Sequence, residues 1–307
     1  MRIVFFGTPE FAVPSLRALL RERYQVAGVV TQPDKPQGRS RTTLVAPPVK
    51  AEAAAAGIVV LQPARPLGDV FLAGLRRLEP DLGVVVAYGH ILQPAVLSLP
   101  SLGMINVHAS LLPRWRGAAP IQHAILAGDR EAGVSIMRME AGLDSGPVLQ
   151  RTATPVGVEE TAGALAARLA ELGAAALLDA LALMSSGLAK PEPQDAARVT
   201  FAPKIDRENA RLDWSRDALT LSRQVRAFDP APGAWTMHGD VPLKLFSAVP
   251  APERGEPGSV LAAGDRLVIA CGDGALAVRE AQPAGRTRLL VADWVRGRGI
   301  AAGARLG

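Results

Sequence analysis

The sequence predicts a doubly wound, Rossmann-like α/β domain on a mostly parallel sheet, followed by a smaller antiparallel β-barrel. Three observations carry this. Short β-branched runs alternate with helical leucine spacing up to about residue 187. Two prolines in polar company interrupt the chain at 189–194, and short strand patterns between glycine, proline and aspartate recur from about residue 204. At 307 residues the chain exceeds what one compact core usually occupies, which agrees with two domains.

In the first domain strands are expected at 2–6, 26–31, 58–61, 82–87 and 104–108. Between them Leu16, Leu19 and Leu20, then Leu72, Leu75 and Leu78, recur at helical spacing. Strands at 134–139 and 148–154 flank the glycine-punctuated turn 141–147, and an alanine-rich helix to about residue 186 closes the domain. Arg168, Glu171 and Asp179 break the apolarity of that helix, so it reads as amphipathic and no membrane partner is expected. Beyond the prolines a helix is expected over 215–227, with strands at 243–248, 258–261, 267–270 and 275–280. These patterns divide the chain into 1–188, a linker 189–203, and 204–307.

With 49% apolar and 21% charged residues the chain is globular and not disordered. Met1 and Arg2 run straight into an apolar strand without a leader pattern, so a cytoplasmic location is expected. The one cysteine, Cys271, excludes an intramolecular disulfide framework and reads as a packing residue. His90, His108, His123 and His238 lack ligand spacing, so no metal is expected. A net charge of +5 agrees with a polyanionic partner without requiring one. After the first strand Gly7 stands alone where a dinucleotide site needs three spaced glycines, so an NAD site is not expected.

The chemistry concentrates in Met104-Ile105-Asn106-Val107-His108, where strand alternation puts Asn106 and His108 on one face at a carboxyl end. An amide can donate to a developing oxyanion, and an imidazole can exchange protons with an attacking amine. Asp144, in a turn with glycines on both sides, can present a carboxylate to a histidine. Taken singly, each has a commoner structural use: strand-end hydrogen bonding for the pair, an Asx turn for the aspartate.

Together, residues 103–122 (GMINVHASLLPRWRGAAPIQ) and 142–146 (GLDSG) closely resemble the methionyl-tRNA formyltransferase family. The likeness extends to Phe6-Gly7-Thr8-Pro9, Thr31-Gln32-Pro33-Asp34, Val86-Ala87-Tyr88-Gly89 and Arg226-Ala227-Phe228, covering nearly the whole chain. It implies a formyltransferase fold with an OB-like second domain, and catalysis by Asn106, His108 and Asp144. The implied formyl donor is 10-formyltetrahydrofolate, held by Ala87, Tyr88, Gly89, His90, Ile91, Leu92, Met139 and the turn Ser110, Leu111, Leu112 and Pro113. The implied acceptor is initiator methionyl-tRNA. It would be met by a mobile basic loop at 34–50 carrying Lys35, Arg39, Arg41 and Lys50, and by Lys204 and Lys244 of the barrel. Arg207, Arg211, Arg286, Arg288, Arg296 and Arg298 are further candidates for following the RNA backbone. A monomer is expected.

The chain departs from the family pattern at Ala109, often glycine, at Asp229-Pro230-Ala231-Pro232, which lacks the usual asparagine and aromatic, and at Ser40 after Arg39. Two alternatives stay open: a formyltransferase acting on a small amine such as a nucleotide sugar or glycinamide ribonucleotide, and a non-catalytic RNA-binding protein on the same fold. The second domain argues against the first, and retention of Asn106, His108 and Asp144 against the second.

Overall fold

A computed structural model describes residues 1–37 and 43–307. They form two compact units interleaved along the chain: Met1–Gly117, Ala132–Thr154 and Ala166–Phe201, and Ala118–Glu131, Pro155–Leu165 and Ala202–Gly307. Among the described residues no helix is long and apolar enough to cross a membrane.

The first unit is built on a seven-stranded sheet of β1 (Arg2–Gly7), β2 (Gln25–Val30), β3 (Val60–Leu61), β4 (Leu82–Val86), β5 (Met104–His108), β6 (Glu131–Arg138) and β7 (Val148–Pro155). Their order is β7-β6-β5-β4-β1-β2-β3. The pairs β1–β2, β2–β3, β1–β4 and β4–β5 are parallel, and β6 runs antiparallel to β5. The mostly parallel sheet expected from the sequence is therefore present. Its order reverses beside β1, between strands leading to Gly7-Thr8 and to Ala87-Tyr88, where open α/β sheets place ligands.

Alternation along β1 explains why residues 3–6 are all apolar. Val4 and Phe6 join one cluster with Val30, Phe71, Leu75, Leu78, Val85 and Met104, while Ile3 and Phe5 point the other way and are also fully buried. Each such side chain contributes about 1.5–3 kcal/mol of burial. The helices α1 (Val13–Arg21), α2 (Pro48–Ala55), α3 (Asp69–Arg76) and α4 (Ala162–Ser185) follow. In α4 Leu165, Leu169, Leu177 and Leu181 are fully buried along one stripe. Gly173 of that helix comes so close to β5 that a Cβ there would sit 2.9 Å from Cγ1 of Val107. Val107 thus faces α4, and Asn106 and His108 face the opposite side.

The flanks of the segment read as a loop form a small antiparallel ladder, Lys35–Gln37 against Thr43–Val45.

In the second unit α5 (Ala218–Ala227) starts later than the expected residue 215, because Asp217 caps it by accepting a 2.8 Å hydrogen bond from the Thr220 N–H. The antiparallel sheet comprises β8 (Trp235–His238), β9 (Val241–Ala251), β10 (Val260–Ala263), β11 (Leu267–Ala270), β12 (Ala275–Pro283) and β13 (Leu289–Leu290). The order is β8-β9-β12-β11-β10, with β13 on β12. Residues 303–307 bridge the two ends of this curled sheet: Leu306 pairs with His238 and Arg305 with Ser259, both antiparallel. The result is a curled antiparallel half-barrel, consistent with the barrel expected from the strand spacing and with the OB-like domain that the resemblance implies.

Arg288 sits at a polar centre within this unit. Its guanidinium forks onto the buried Asp229 carboxylate at 2.8 and 3.1 Å, reaches Glu280 at 2.6 Å and lies 4.2 Å above the Phe246 ring. Cys271 is buried, and burial first, with the charge of Asp217 second, pushes its thiol up to about 11, which suits a packing residue.

Candidate active site

Asn106 and His108 lie at the carboxyl end of β5, with Ser110 just beyond, where β5 is flanked by parallel β4 and antiparallel β6. His108 is 6% exposed. Its Nε2 is 2.9 Å from the Trp115 carbonyl oxygen. A carbonyl can only accept, so Nε2 carries the proton and Nδ1 is the nitrogen left to exchange one. Nδ1 faces Asp144, whose Oδ2 is 3.7 Å away, an ion-pair distance but longer than a hydrogen bond. The half-buried Asn106 amide makes no hydrogen bond among the described residues.

Asp144 is held from two sides. Its Oδ2 accepts a 2.8 Å hydrogen bond from the Gly117 N–H, and its carbonyl accepts one of 2.8 Å from Nε2 of Gln194. The same Gln194 nitrogen donates to Gly146 O at 2.7 Å, while Oε1 accepts from both Nε and Nη2 of Arg116 at 3.0 and 2.8 Å. Three non-glycine residues around the site adopt left-handed backbone: Ala87 (φ 47°), Trp115 (φ 64°) and Asp144 (φ 45°). Such residues cost about 1 kcal/mol or more each and persist where surrounding bonds over-determine them. Gly146 fits only as glycine, since a Cβ there would meet the Arg138 carbonyl oxygen at 2.0 Å. Gly146→Ala is therefore expected to displace the Asp144 loop and lower turnover by about tenfold or more, read by steady-state kinetics on a variant with unchanged circular dichroism.

The residues implied as folate contacts divide by exposure. Ala87, Gly89 and Ile91 are exposed while Tyr88 and Leu92 are buried in the cluster that also packs Met139, which brings the 87–92 segment and Met139 to one patch. Tyr88 packs edge-on against Phe6 and lies 5.4 Å from the His90 ring, and burial pushes its hydroxyl up to about 12. Its carbonyl is tied by Thr8 Oγ1 at 2.9 Å and Gln32 Nε2 at 3.0 Å. In the turn after β5, Ser110 donates to Arg114 O at 2.6 Å and Leu112 is 1% exposed, so both side chains serve the turn itself. Leu111 and Pro113 are half-buried.

Of the residues implied as tRNA contacts, Arg39 and Arg41 lie outside the described residues. Lys35 is exposed and donates to Gln32 at 2.7 Å. Lys50 is half-buried and forks onto Asp34 at 2.7 and 2.8 Å. Hydrogen bonds from Gln62 and then Lys50 hold the Asp34 carboxyl below its usual range. Lys204 is exposed, and Lys244 donates to Pro232 O at 2.7 Å. Lys244 lines a cavity of about 460 Å³ with Arg207 and Trp235. Arg288, a candidate for the RNA backbone, is instead committed to Asp229 and Glu280.

Sequence reasoning missed Gln194 and Thr200, which hold the Asp144 loop and the Trp115 backbone from a segment read as linker. A glutamine in a proline-bearing stretch carries no periodic pattern that would have singled it out. Among the described residues no group of three or more His, Cys, Asp or Glu is placed to hold a metal ion.

The parallel sheet with a polar pair at the end of β5, followed by a curled antiparallel sheet, is the arrangement of a formyl transferase: residues 1–181 match the family described as "Formyl transferase", and 204–299 match "Formyl transferase, C-terminal domain". The chain is 50% identical over 311 residues to a methionyl-tRNA formyltransferase of Methylococcus capsulatus, covering 100% of both chains. It is 51% identical over 310 residues to one from Xanthomonas euvesicatoria pv. vesicatoria, covering 97% of this chain and 98% of that one. This chain belongs to the methionyl-tRNA formyltransferase family and is a one-carbon group transferase. Its fold is also that of HypX from Aquifex aeolicus, solved in complex with tetrahydrofolic acid, with a TM-score of 0.68 and 24% identity over 96% of this chain. This chain spans about half of that longer protein, 47% of its length.

Proposed function

We propose that this protein transfers the formyl group of 10-formyltetrahydrofolate to the amino group of methionine carried on initiator tRNA, giving N-formylmethionyl-tRNA. The observation that carries the reading is the state of His108: Nε2–H is engaged by the Trp115 carbonyl, and Nδ1 is left facing Asp144, on the strand face that His108 shares with Asn106. The methionyl amine attacks the formyl carbon, forming the new C–N bond. Asn106 donates to the resulting oxyanion, and Nδ1 of His108 takes the amine proton while Asp144 balances the imidazolium charge. The bond from the formyl carbon to the folate nitrogen then breaks, and that nitrogen receives the proton. No metal enters this scheme.

Ala87, Gly89, Ile91 and Met139 offer the folate a partly apolar surface next to β5, with backbone groups of 110–113 bordering it. Residues 1–188 carry the chemistry, 189–203 form the connection, and 204–307 bind RNA. Arg39, Arg41 and Lys35 of the 34–50 segment, with Lys50 anchoring its base, meet the acceptor end. Lys204, Lys244 and the Arg207–Trp235 pair, 5.2 Å apart, suit phosphate and ribose contacts in the second unit. The protein acts as a monomer in the cytoplasm.

The test is formylation of charged initiator tRNA by the purified protein with 10-formyltetrahydrofolate. Activity on tRNA is the expected result, and failure there alongside activity on a nucleotide sugar or glycinamide ribonucleotide would replace the acceptor. With about four phosphate contacts, tRNA affinity is expected to fall roughly a hundredfold between about 50 and 200 mM salt. Filter binding at several salt concentrations measures it, and a flat response removes the phosphate contacts from the scheme.

A further inference from the structure

We propose that residues 192–200, taken from sequence as part of a tether, form a strap that positions both members of the His108–Asp144 pair, with Gln194 and Thr200 as its positioning residues. This rests on the catalytic roles proposed for that pair. On the aspartate side, Gln194 uses its whole hydrogen-bonding capacity: two donations, to Asp144 O at 2.8 Å and Gly146 O at 2.7 Å, and two acceptances from Arg116. Its orientation follows from chemistry, because a guanidinium only donates and the two carbonyls only accept. The neighbouring Gly117 N–H reaches Asp144 Oδ2, so Arg116 and Gly117 bind the aspartate through Gln194 and directly.

On the histidine side, Thr200 Oγ1 accepts from the Trp115 N–H at 2.9 Å, and Thr200 O accepts from the Arg116 N–H at 2.9 Å. Trp115 is the residue whose carbonyl holds His108 Nε2 and whose backbone is left-handed at φ 64°. The strap is pinned at its start by a two-way backbone bridge, Glu192 N to Val148 O and Val148 N to Glu192 O, both 2.8 Å. One short segment therefore fixes the carbonyl that sets the histidine tautomer and the loop that carries the aspartate. These are the two orientations on which transfer of a proton at Nδ1 depends.

The test uses the full chain with Gln194→Ala, Gln194→Glu, Thr200→Val and Thr200→Ser, assayed beside His108→Ala and Asp144→Ala. Gln194→Ala and Thr200→Val are each expected to lower kcat about tenfold, with KM for folate and tRNA changed less than about twofold and the melting temperature unchanged. Thr200→Ser keeps the accepting oxygen and is expected to recover kcat to within about twofold of the parent. Gln194→Glu matches the shape but turns acceptors toward two carbonyls, so it is expected to behave like Gln194→Ala. On an Asp144→Ala background Gln194→Ala is expected to add less than about twofold, because it acts through the aspartate.

Parent-like kcat in Gln194→Ala and Thr200→Val overturns the strap while leaving the catalytic pair standing. So does a full additional loss on the Asp144→Ala background, which would make Gln194 an independent structural prop. Parent-like activity of His108→Ala and Asp144→Ala overturns the catalytic reading, and the strap with it.

Discussion

His108→Ala and Asn106→Ala are each expected to lower kcat for formyl transfer by about a hundredfold or more, with KM for either substrate changed far less. The Asn106 amide is unengaged among the described residues, so removing it breaks no hydrogen bond among them. Its cost falls on the tetrahedral oxyanion alone, which exists only near the transition state, and a loss of that kind appears in kcat. His108 differs because its ring is buried and bonded to Trp115 O. Its alanine variant therefore needs a melting curve beside the kinetics. Single-turnover formylation with saturating tRNA separates chemistry from product release. A single-turnover rate within about threefold of the parent for either folded variant would remove that residue from the chemistry.

Arg288→Ala is expected to destabilise the protein by about 3 kcal/mol, lowering the melting transition of the second unit by on the order of 10 °C. The variant leaves the Asp229 carboxylate, whose side chain is 7% exposed, without its cationic fork. The low end of the range for a broken buried pair applies, because the Arg288 side chain is itself 33% exposed. Arg288→Lys is expected to recover only part of the loss, since a point charge does not reproduce two parallel hydrogen bonds and the stack on Phe246.

The pH dependence has a definite sign. The hydrogen bond from Arg288 first, with Ser247 adding to it, holds the Glu280 carboxyl below its usual range. A depressed folded value gives stabilisation that is whole above the ordinary carboxylate range and disappears as pH falls through the lowered value. Arg288→Ala is thus expected to flatten the acid limb of a plot of melting temperature against pH. An unchanged midpoint at neutral pH would show that Asp229 finds other partners.

Legibility varied along the chain for identifiable reasons. Met104–His108 and Leu267–Ala270 were readable to the residue because both faces of those strands reflect their neighbours. Trp235–His238 was not read, as a Trp-Thr-Met-His run shows no alternation and its place is set by pairing with β9. The interleaving of the two units was equally silent, since residues 118–131 and 155–165 change neither composition nor periodicity when they join the second unit. At the site, side-chain chemistry was legible in Asn106, His108 and Asp144, because amide, imidazole and carboxylate suggest roles wherever they meet. What positions them was not. The Trp115 carbonyl is a backbone group that any residue would supply and the Gly117 N–H one that any residue but proline would, and Gln194 reaches Asp144 across 50 residues of chain.

Residues 303–307 do more than complete a curled sheet. The Gly303 N–H bonds Val260 O and the Val260 N–H bonds Ala304 O, both at 2.8 Å, while the Gly307 N–H reaches Met237 O at 3.1 Å. At the Trp235 end of β8, Leu212 N–H bonds Trp235 O at 2.8 Å. The outermost strands thus have backbone groups already taken by segments of the same chain. Unpaired strand edges are templates on which a second polypeptide can grow. With these occupied, partners of this half-barrel must be recognised through side chains and shape, and the sheet is guarded against recruiting strands from neighbouring molecules.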